Sequence, residues 1–383
     1  MKRLWIFILF FVTLYPFLTA QDKPKFLTVT GYLSTMESVM FDSLSGPFVN
    51  ENLIHNRLNL KGYINENISF ATEFRNRLFT GDMVKSGNLY SRQISDDPGW
   101  LDLSWNILNK KSFFLNTTVD RVWMDFNYGK FQARVGRQRI NWGQTLVWNP
   151  NDIFNAYSFF DFDYVERPGS DALRLQYYPD PSSAFELAVK ADYKNNITAA
   201  GLYRFNKWGY DIQVLCGYFR SDDFVAGAGW SGSIGSFSFR GEASWFQPVK
   251  NFSDSTGTAI FTAGLDKVFK NNSTAQIQIM YCNDPFRMSG FNSFYTGNMS
   301  TKNLAFSRFS SFGQFSYPVT PLFNLSVSAM WFPDLKGFFA GPSFDYSVAE
   351  NVDFSVFWQH FESKISLVTS RINLGFLRIK FSF

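Results

Sequence analysis

The chain has 383 residues, of which 45% are hydrophobic and 19% aromatic, and a formal net charge of only +4. So small an imbalance, without basic or acidic blocks, excludes a nucleic-acid-binding protein. The 46 Phe, 17 Tyr and 11 Trp exceed what a soluble domain of this size needs, yet no internal run is long and apolar enough for a membrane-spanning helix.

In chain order the first element is a leader. Lys2 and Arg3 form a basic start, Leu4 to Phe17 an apolar stretch, and Leu18-Thr19-Ala20 a small-residue cleavage site before Gln21. Pro16 and the shortness of the apolar run argue against an uncleaved anchor. No Cys follows the cleavage site, so lipid attachment is not expected. The organisation is therefore a signal peptide over 1–20 and one unit over 21–383.

From residue 26 onward a period of two dominates. In NLIHNRLNLKGY, Ile54, Leu58 and Leu60 oppose His55, Arg57, Asn59 and Lys61. In SAFELAVKADY, Phe185, Leu187, Val189, Ala191 and Tyr193 oppose Glu186, Lys190 and Asp192. The last stretch, INLGFLRIKFSF, sets Leu377, Ile379, Phe381 and Phe383 against Arg378, Lys380 and Ser382. About 18 strands follow from this pattern, with 16 to 20 as bounds. Cys216 falls on an outward parity and Cys282 on an inward one, so no disulfide is expected.

The links between strands sort by length. After even-numbered strands they are short (INEN, GK, DPSS, NK, IGS, NN, VTP, EN). The long ones, near 42–50, 80–115, 140–170, 248–256, 284–305 and 362–371, all follow odd-numbered strands. A transmembrane antiparallel up-and-down β-barrel sorts its connections this way, with short periplasmic turns and longer extracellular loops. Backbone groups cannot stay unpaired in hydrocarbon, so a spanning sheet must close on itself, apolar outside and polar inside. The competing reading is a soluble sandwich or periplasmic barrel, whose inner face would be the apolar one.

The terminal LRIKFSF resembles the C-terminal signal strand of bacterial outer-membrane barrels. That likeness implies recognition of Leu377, Ile379, Phe381 and Phe383 by the barrel-assembly machinery. GRQRINWGQTLVWNPNDIFN and the following FDFDYVERPGSDALRLQYYP resemble a block of uncharacterised porin-like outer-membrane proteins of Gram-negative bacteria. The likeness implies a fold and a location, the cell outer membrane, and no substrate.

The candidate site comes from charge on the wet face. His55, Arg57, Lys61, Arg75, Arg77, Arg121 and Arg134 share the lumen parity, with Glu73 and Asp125. Arg57, Arg75, Arg77, Arg121 and Arg134 are the candidate pore-lining residues. The loop 140–170 carries Asp152, Asp161, Asp163 and Glu166 and is the candidate constriction. Acids opposite an arginine wall would discriminate between ions. The plainer reading is that the arginines tie the loop to the wall. Arg137 and Arg139 fall on the outward parity and imply either a bulge at Gly136 or the rim of the strand. Asn149, Asn151 and Asp152 in WNPNDIF do not have calcium-loop spacing, and neither a metal nor a cofactor is expected.

These features favour a channel for passive, weakly anion-selective diffusion of small hydrophilic solutes. The alternative is a substrate-specific transport barrel or a surface receptor acting through its long loops. An enzyme is disfavoured, because parity puts His55 inside and His360 outside. The expected partners are outer-membrane lipid, the barrel-assembly machinery and small solutes. Trimers are common among general porins, but no interface is legible.

Overall fold

The computed structural model describes residues 26–157, 159–160, 166–250, 252–286, 300–365 and 368–383. The leader expected over 1–20 lies outside them, as do Asp161 and Asp163. The first strands are β1 (Leu27–Phe41), β2 (Val49–Tyr63), β3 (Ile68–Gly81), β4 (Ser104–Asn109), β5 (Phe113–Tyr128) and β6 (Phe131–Gln138). Then come β7 (Ser170–Asp180), β8 (Ser183–Ala191), β9 (Ile197–Lys207), β10 (Tyr210–Phe219), β11 (Asp223–Ile234) and β12 (Phe237–Pro248). The last are β13 (Thr258–Val268), β14 (Thr274–Cys282), β15 (Phe309–Thr320), β16 (Phe323–Phe332), β17 (Gly337–Ala349), β18 (Val352–Ile365) and β19 (Val368–Ser382).

Of these 19 strands, 18 form a closed antiparallel ring. Each pairs with the next, and β19 returns to β1 with Tyr32 opposite Ser382 and Phe41 opposite Asn373. Closure leaves the ring without an edge, which a sheet in hydrocarbon requires. The transmembrane barrel expected from alternation is therefore the fold.

The nineteenth strand, β4, lies inside the long link 80–115 and pairs only with β5. Its presence follows from the shortness of β6. β6 pairs the half of β5 from Val122 to Tyr128 and ends at Gln138. β4 takes the rest of that edge, from Phe114 to Thr118, which would otherwise expose unpaired backbone groups. The link expected over 362–371 is largely strand, since β18 runs to Ile365 and β19 starts at Val368.

The outer surface is a belt of large apolar side chains. Leu187 on β8 is 60% exposed and Ile277 on β14 is 61% exposed, values that suit contact with acyl chains. Near the short-turn rim the belt gives way to stacked aromatics. Phe131 stacks on Tyr177 at 4.6 Å, and Phe185 on Tyr203 at 4.3 Å. Aromatic girdles occupy this level because their rings tolerate both headgroups and chains. The turns there are tight: Trp208 and Gly209 both adopt positive φ, 57° and 77°, as a two-residue hairpin turn demands. Cys216 is exposed, Cys282 is buried and both are free.

The interior departs from the expectation of a polar lumen. On the short-turn half the inward residues are polar, as in the Arg240–Asp266 pair at 3.0 Å. On the long-loop half of β10–β18 many of them are apolar and buried: Leu215, Phe246, Ile260, Met280, Phe312, Phe339 and Phe361 belong to one cluster, with Ser244 and Gln278 as polar members of the same wall. The reason is that this half holds protein rather than water. Residues Ile140, Trp142, Val147, Trp148, Ile153, Phe154 and Phe160 of the link after β6 complete the same cluster.

The belt generates a test. Leu187→Arg should destabilise the barrel by about 2–4 kcal/mol, the cost of a lipid-facing arginine near mid-depth. Ser326→Arg, at an inward position among Ser316 and Asn324, should cost much less. Denaturant unfolding in lipid vesicles measures both; equal effects would contradict the assignment of faces.

Candidate functional site

Of the segment between β6 and β7, residues 139–157, 159–160 and 166–169 sit at the centre of the interior. At its base Asn155 accepts a hydrogen bond from the Ile140 amide at 2.8 Å and donates to the Pro168 carbonyl at 2.8 Å. These bonds bring the two limbs together. Beyond the base the loop meets the wall nearly all the way round. Trp142 Nε1 donates to Glu186 on β8, and Gln213 on β10 donates to the Trp142 carbonyl at 2.6 Å. Gln278 on β14 accepts from the Val147 amide at 2.9 Å and donates to the Trp148 carbonyl at 3.1 Å. Phe160 packs on Phe339 of β17 and Phe361 of β18, with centroids 5.2 and 4.9 Å apart. Glu166 then reaches Tyr32 on β1 at 3.4 Å and Arg57 on β2 at 3.8 Å.

The strongest anchor is Glu242 on β12, which is fully buried. Its Oε1 accepts from the Thr145 amide at 2.7 Å, from the Gln144 amide and from Thr145 Oγ1 at 3.0 Å. Its Oε2 accepts from the Asn151 amide at 2.9 Å. A carboxylate with this many donors replaces the water that loop amides would otherwise need. The neighbouring wall is shaped for the approach. A Cβ on Gly227 would lie 2.5 Å from Asn151 Oδ1, and one on Gly229 would lie 2.6 Å from Gln144 Oε1.

The five candidate arginines divide. Arg57 is fully buried, donating to Asp120 at 2.7 Å and pairing with Glu73. Arg121 is buried and donates to the Glu166 and Arg167 carbonyls, at 3.0 and 2.5 Å. Arg77 donates to the Ile94 carbonyl at 3.2 Å and to Asn116 at 2.8 Å. Arg75 is buried. Arg134 keeps 24% of its side chain exposed while donating to Asp125 at 2.8 Å over the Trp123 ring. Arg57 and Arg121 therefore hold the loop to the wall. A bulge on β5 helps, because the pairing with β3 skips Asp120 between Val119 and Arg121 and turns both Asp120 and Arg121 inward.

The acids divide as well. Glu166 faces Arg57, whereas Asp152 lies fully buried inside the loop with Oδ1 3.5 Å from the Trp142 amide. Burial pushes its carboxyl up to about 6, against the pull of Arg139. Asn149 serves the loop itself, donating to Tyr157 at 2.8 Å, whereas Asn151 ties the loop to the wall, donating to the Ala228 carbonyl of β11 at 2.9 Å.

Of the two readings of Arg137, the rim holds. Pairing on both sides of β6 runs unbroken through Gly136, so no bulge turns Arg137 inward. Arg137 sits on the outward parity opposite Asp171, at the end of the strand. It donates to Asp171 at 2.7 Å, Asp97 at 2.6 Å and the Leu101 carbonyl at 2.6 Å. The strap around Asp97–Leu101 thus covers the outer charge. The strap needs Gly99, where a Cβ would fall 2.1 Å from Arg137. Of the histidines, buried His55 lies near Tyr32 at 3.4 Å, and His360 faces Asn373 at 2.8 Å on the other side of the wall.

Residues 113–240 match the model of a family described as protein of unknown function DUF1302. No curated protein matches the sequence. The fold is similar to solved Occ/Opd porins. Acinetobacter baumannii OccAB2 superposes with TM-score 0.60 at 9% identity, over 94% of this chain and 99% of that one. Pseudomonas aeruginosa OccK5 (OpdH) gives 0.59 at 10% identity, over 93% and 98%. Pseudomonas aeruginosa OccK11 (OpdR) gives 0.57 at 8% identity, over 93% and 96%. At such identities the likeness is one of fold.

Two outcomes are expected of the loop. Glu242→Ala strips the acceptor from three buried amides, a loss on the order of 3 kcal/mol. Hydrogen exchange at Gln144, Thr145 and Asn151 should then accelerate by about 100-fold; unchanged protection would contradict the anchor. The second concerns Asp152. Between its ordinary value of 3.8 and about 6, the seated loop binds more proton than an unseated one, so seating weakens as pH rises through that window. Asp152→Asn should abolish this dependence, measured as exchange of the loop amides at pH 5 and pH 7.

Proposed function

We propose that the chain is a porin-type channel of the Gram-negative outer membrane, passing small hydrophilic solutes passively, with the loop 139–169 as its constriction. The observation that carries the reading is that loop, seated inside the barrel on contacts to β8, β10, β12, β14 and β17. A loop held at so many points narrows the passage and keeps its shape. The export signal over 1–20 and the terminal Leu377, Ile379, Phe381 and Phe383, whose side chains are 42–44% exposed on the outer face, support delivery through the assembly machinery.

Weak anion preference follows from charge left over in the short-turn half of the lumen. Arg134 is offset by Asp125, Arg174 by Glu186 at 2.7 Å and Arg240 by Asp266. Arg204 donates instead to a neutral partner, Gln213 at 3.3 Å, and its charge remains for passing anions; Arg378 donates to Ser355 at 3.4 Å, which in turn donates to Asp345 at 2.6 Å. A second reading, a substrate-specific barrel, is favoured by the apolar packing of Trp142, Phe154 and Phe160, which fixes the loop more firmly than unspecific flow needs.

In a planar bilayer the purified protein should show stepwise conductance. Under a salt gradient it should prefer anions, and Arg134→Gln should weaken or reverse that preference by leaving Asp125 without its partner. Absence of conductance at every voltage would refute the channel, and cation preference in the parent would refute the charge argument.

A further inference from the structure

The long link before β5 folds into two short helices, α1 (Asp82–Lys85) and α2 (Asn88–Ser95). Their apolar side packs on the inner wall at the long-loop mouth, where Val84, Phe79 and Phe114 share a buried cluster with Met36 and Leu53. Between these helices and the tip of the β4–β5 hairpin lies a cavity of about 290 Å³. Its charged lining is all of one sign: Lys85, Lys110 and Lys111. Lys85 shares its charge with Asp82 at 3.1 Å, and Lys110 and Lys111 have no acidic partner among the described residues. Val84 and Phe114 form an apolar floor, and Asn109 adds an amide.

We propose that this cavity binds a phosphate group. Two uncompensated ammonium groups match the roughly −1.5 to −2 charge of a phosphate monoester at neutral pH, and lysines on flexible stems can close on its oxygens from several sides. The apolar floor accommodates the carbon skeleton next to the phosphate. α2 starts at this cavity without a side-chain cap, so its first amides add donors to the lysines. The phosphate belongs either to a free solute captured at the mouth or to the headgroup of a lipid in the surrounding leaflet; both present the same dianion. The site does not depend on the barrel conducting.

The test is equilibrium binding of two probes to the whole barrel in nanodiscs at low salt: glycerol 3-phosphate by calorimetry, and bis-phosphorylated lipid A by native mass spectrometry. Lys110→Ala/Lys111→Ala should weaken binding about tenfold, while Lys110→Arg/Lys111→Arg should retain it. Both variants lie in an exposed hairpin turn, and heat-modifiable gel mobility checks that each barrel has folded. Lysine-dependent binding of glycerol 3-phosphate assigns the site to free solutes. Lysine-dependent binding of lipid A alone assigns it to the leaflet. Failure of both probes, or equal binding by the alanine variant, would overturn the site. Conductance measured on the same protein reports separately on the channel.

Discussion

The structure depends on one constraint: a backbone group in hydrocarbon has no water to turn to. The ring of 18 strands answers it by closing β19 onto β1. Where β6 stops short the same demand recurs, and β4 supplies the missing partner for β5. The Asp97–Leu101 strap then covers the outward Arg137–Asp171 pair at the place where β6 ends and the loop dives inward. The departures from a plain barrel cluster at this seam because the loop leaves the wall there.

Inside, the constraint takes another form. A loop of some thirty residues carried into the barrel brings its own amides and carbonyls, and each that loses water needs a partner. Glu242, Gln213 and Gln278 provide those partners from three strands, and Glu186 on a fourth accepts from the Trp142 indole. Apolar side chains above them exclude water, and burying a residue of the size of Phe154 or Phe160 contributes about 1.5–3 kcal/mol. Gly227 and Gly229 leave room for the tip to approach the wall. Anchors, packing and clearance thus act on one segment, which makes it the candidate site.

Much of the fold was legible in the sequence because lipid enforces a strict period of two. The strands at 183–193 and 372–383 and the short turns between them follow from that rule, as do the opposite facings of Cys216 and Cys282. β4 was not legible, since it exists only to cover a neighbour's edge. The apolar upper lumen escaped because parity tells inside from outside but not water from protein. The candidate site was legible only in part. Inward parity flagged Arg57 and Arg121, and their role as tethers was one of two open readings. Glu242 looked like any other lumen acid, because its partners at Gln144, Thr145 and Asn151 lie more than 90 residues away.

The tip of the loop after β6, around Asn151, is seated against the far wall. The direct measurement is a cysteine pair, Asn151→Cys with Gly227→Cys, in a background carrying Cys216→Ser and Cys282→Ser. An intramolecular cross-link is expected under mild oxidation, with conductance the same before and after reduction. No cross-link in a folded barrel, or a cross-link that closes a channel open in the reduced state, would contradict that seating.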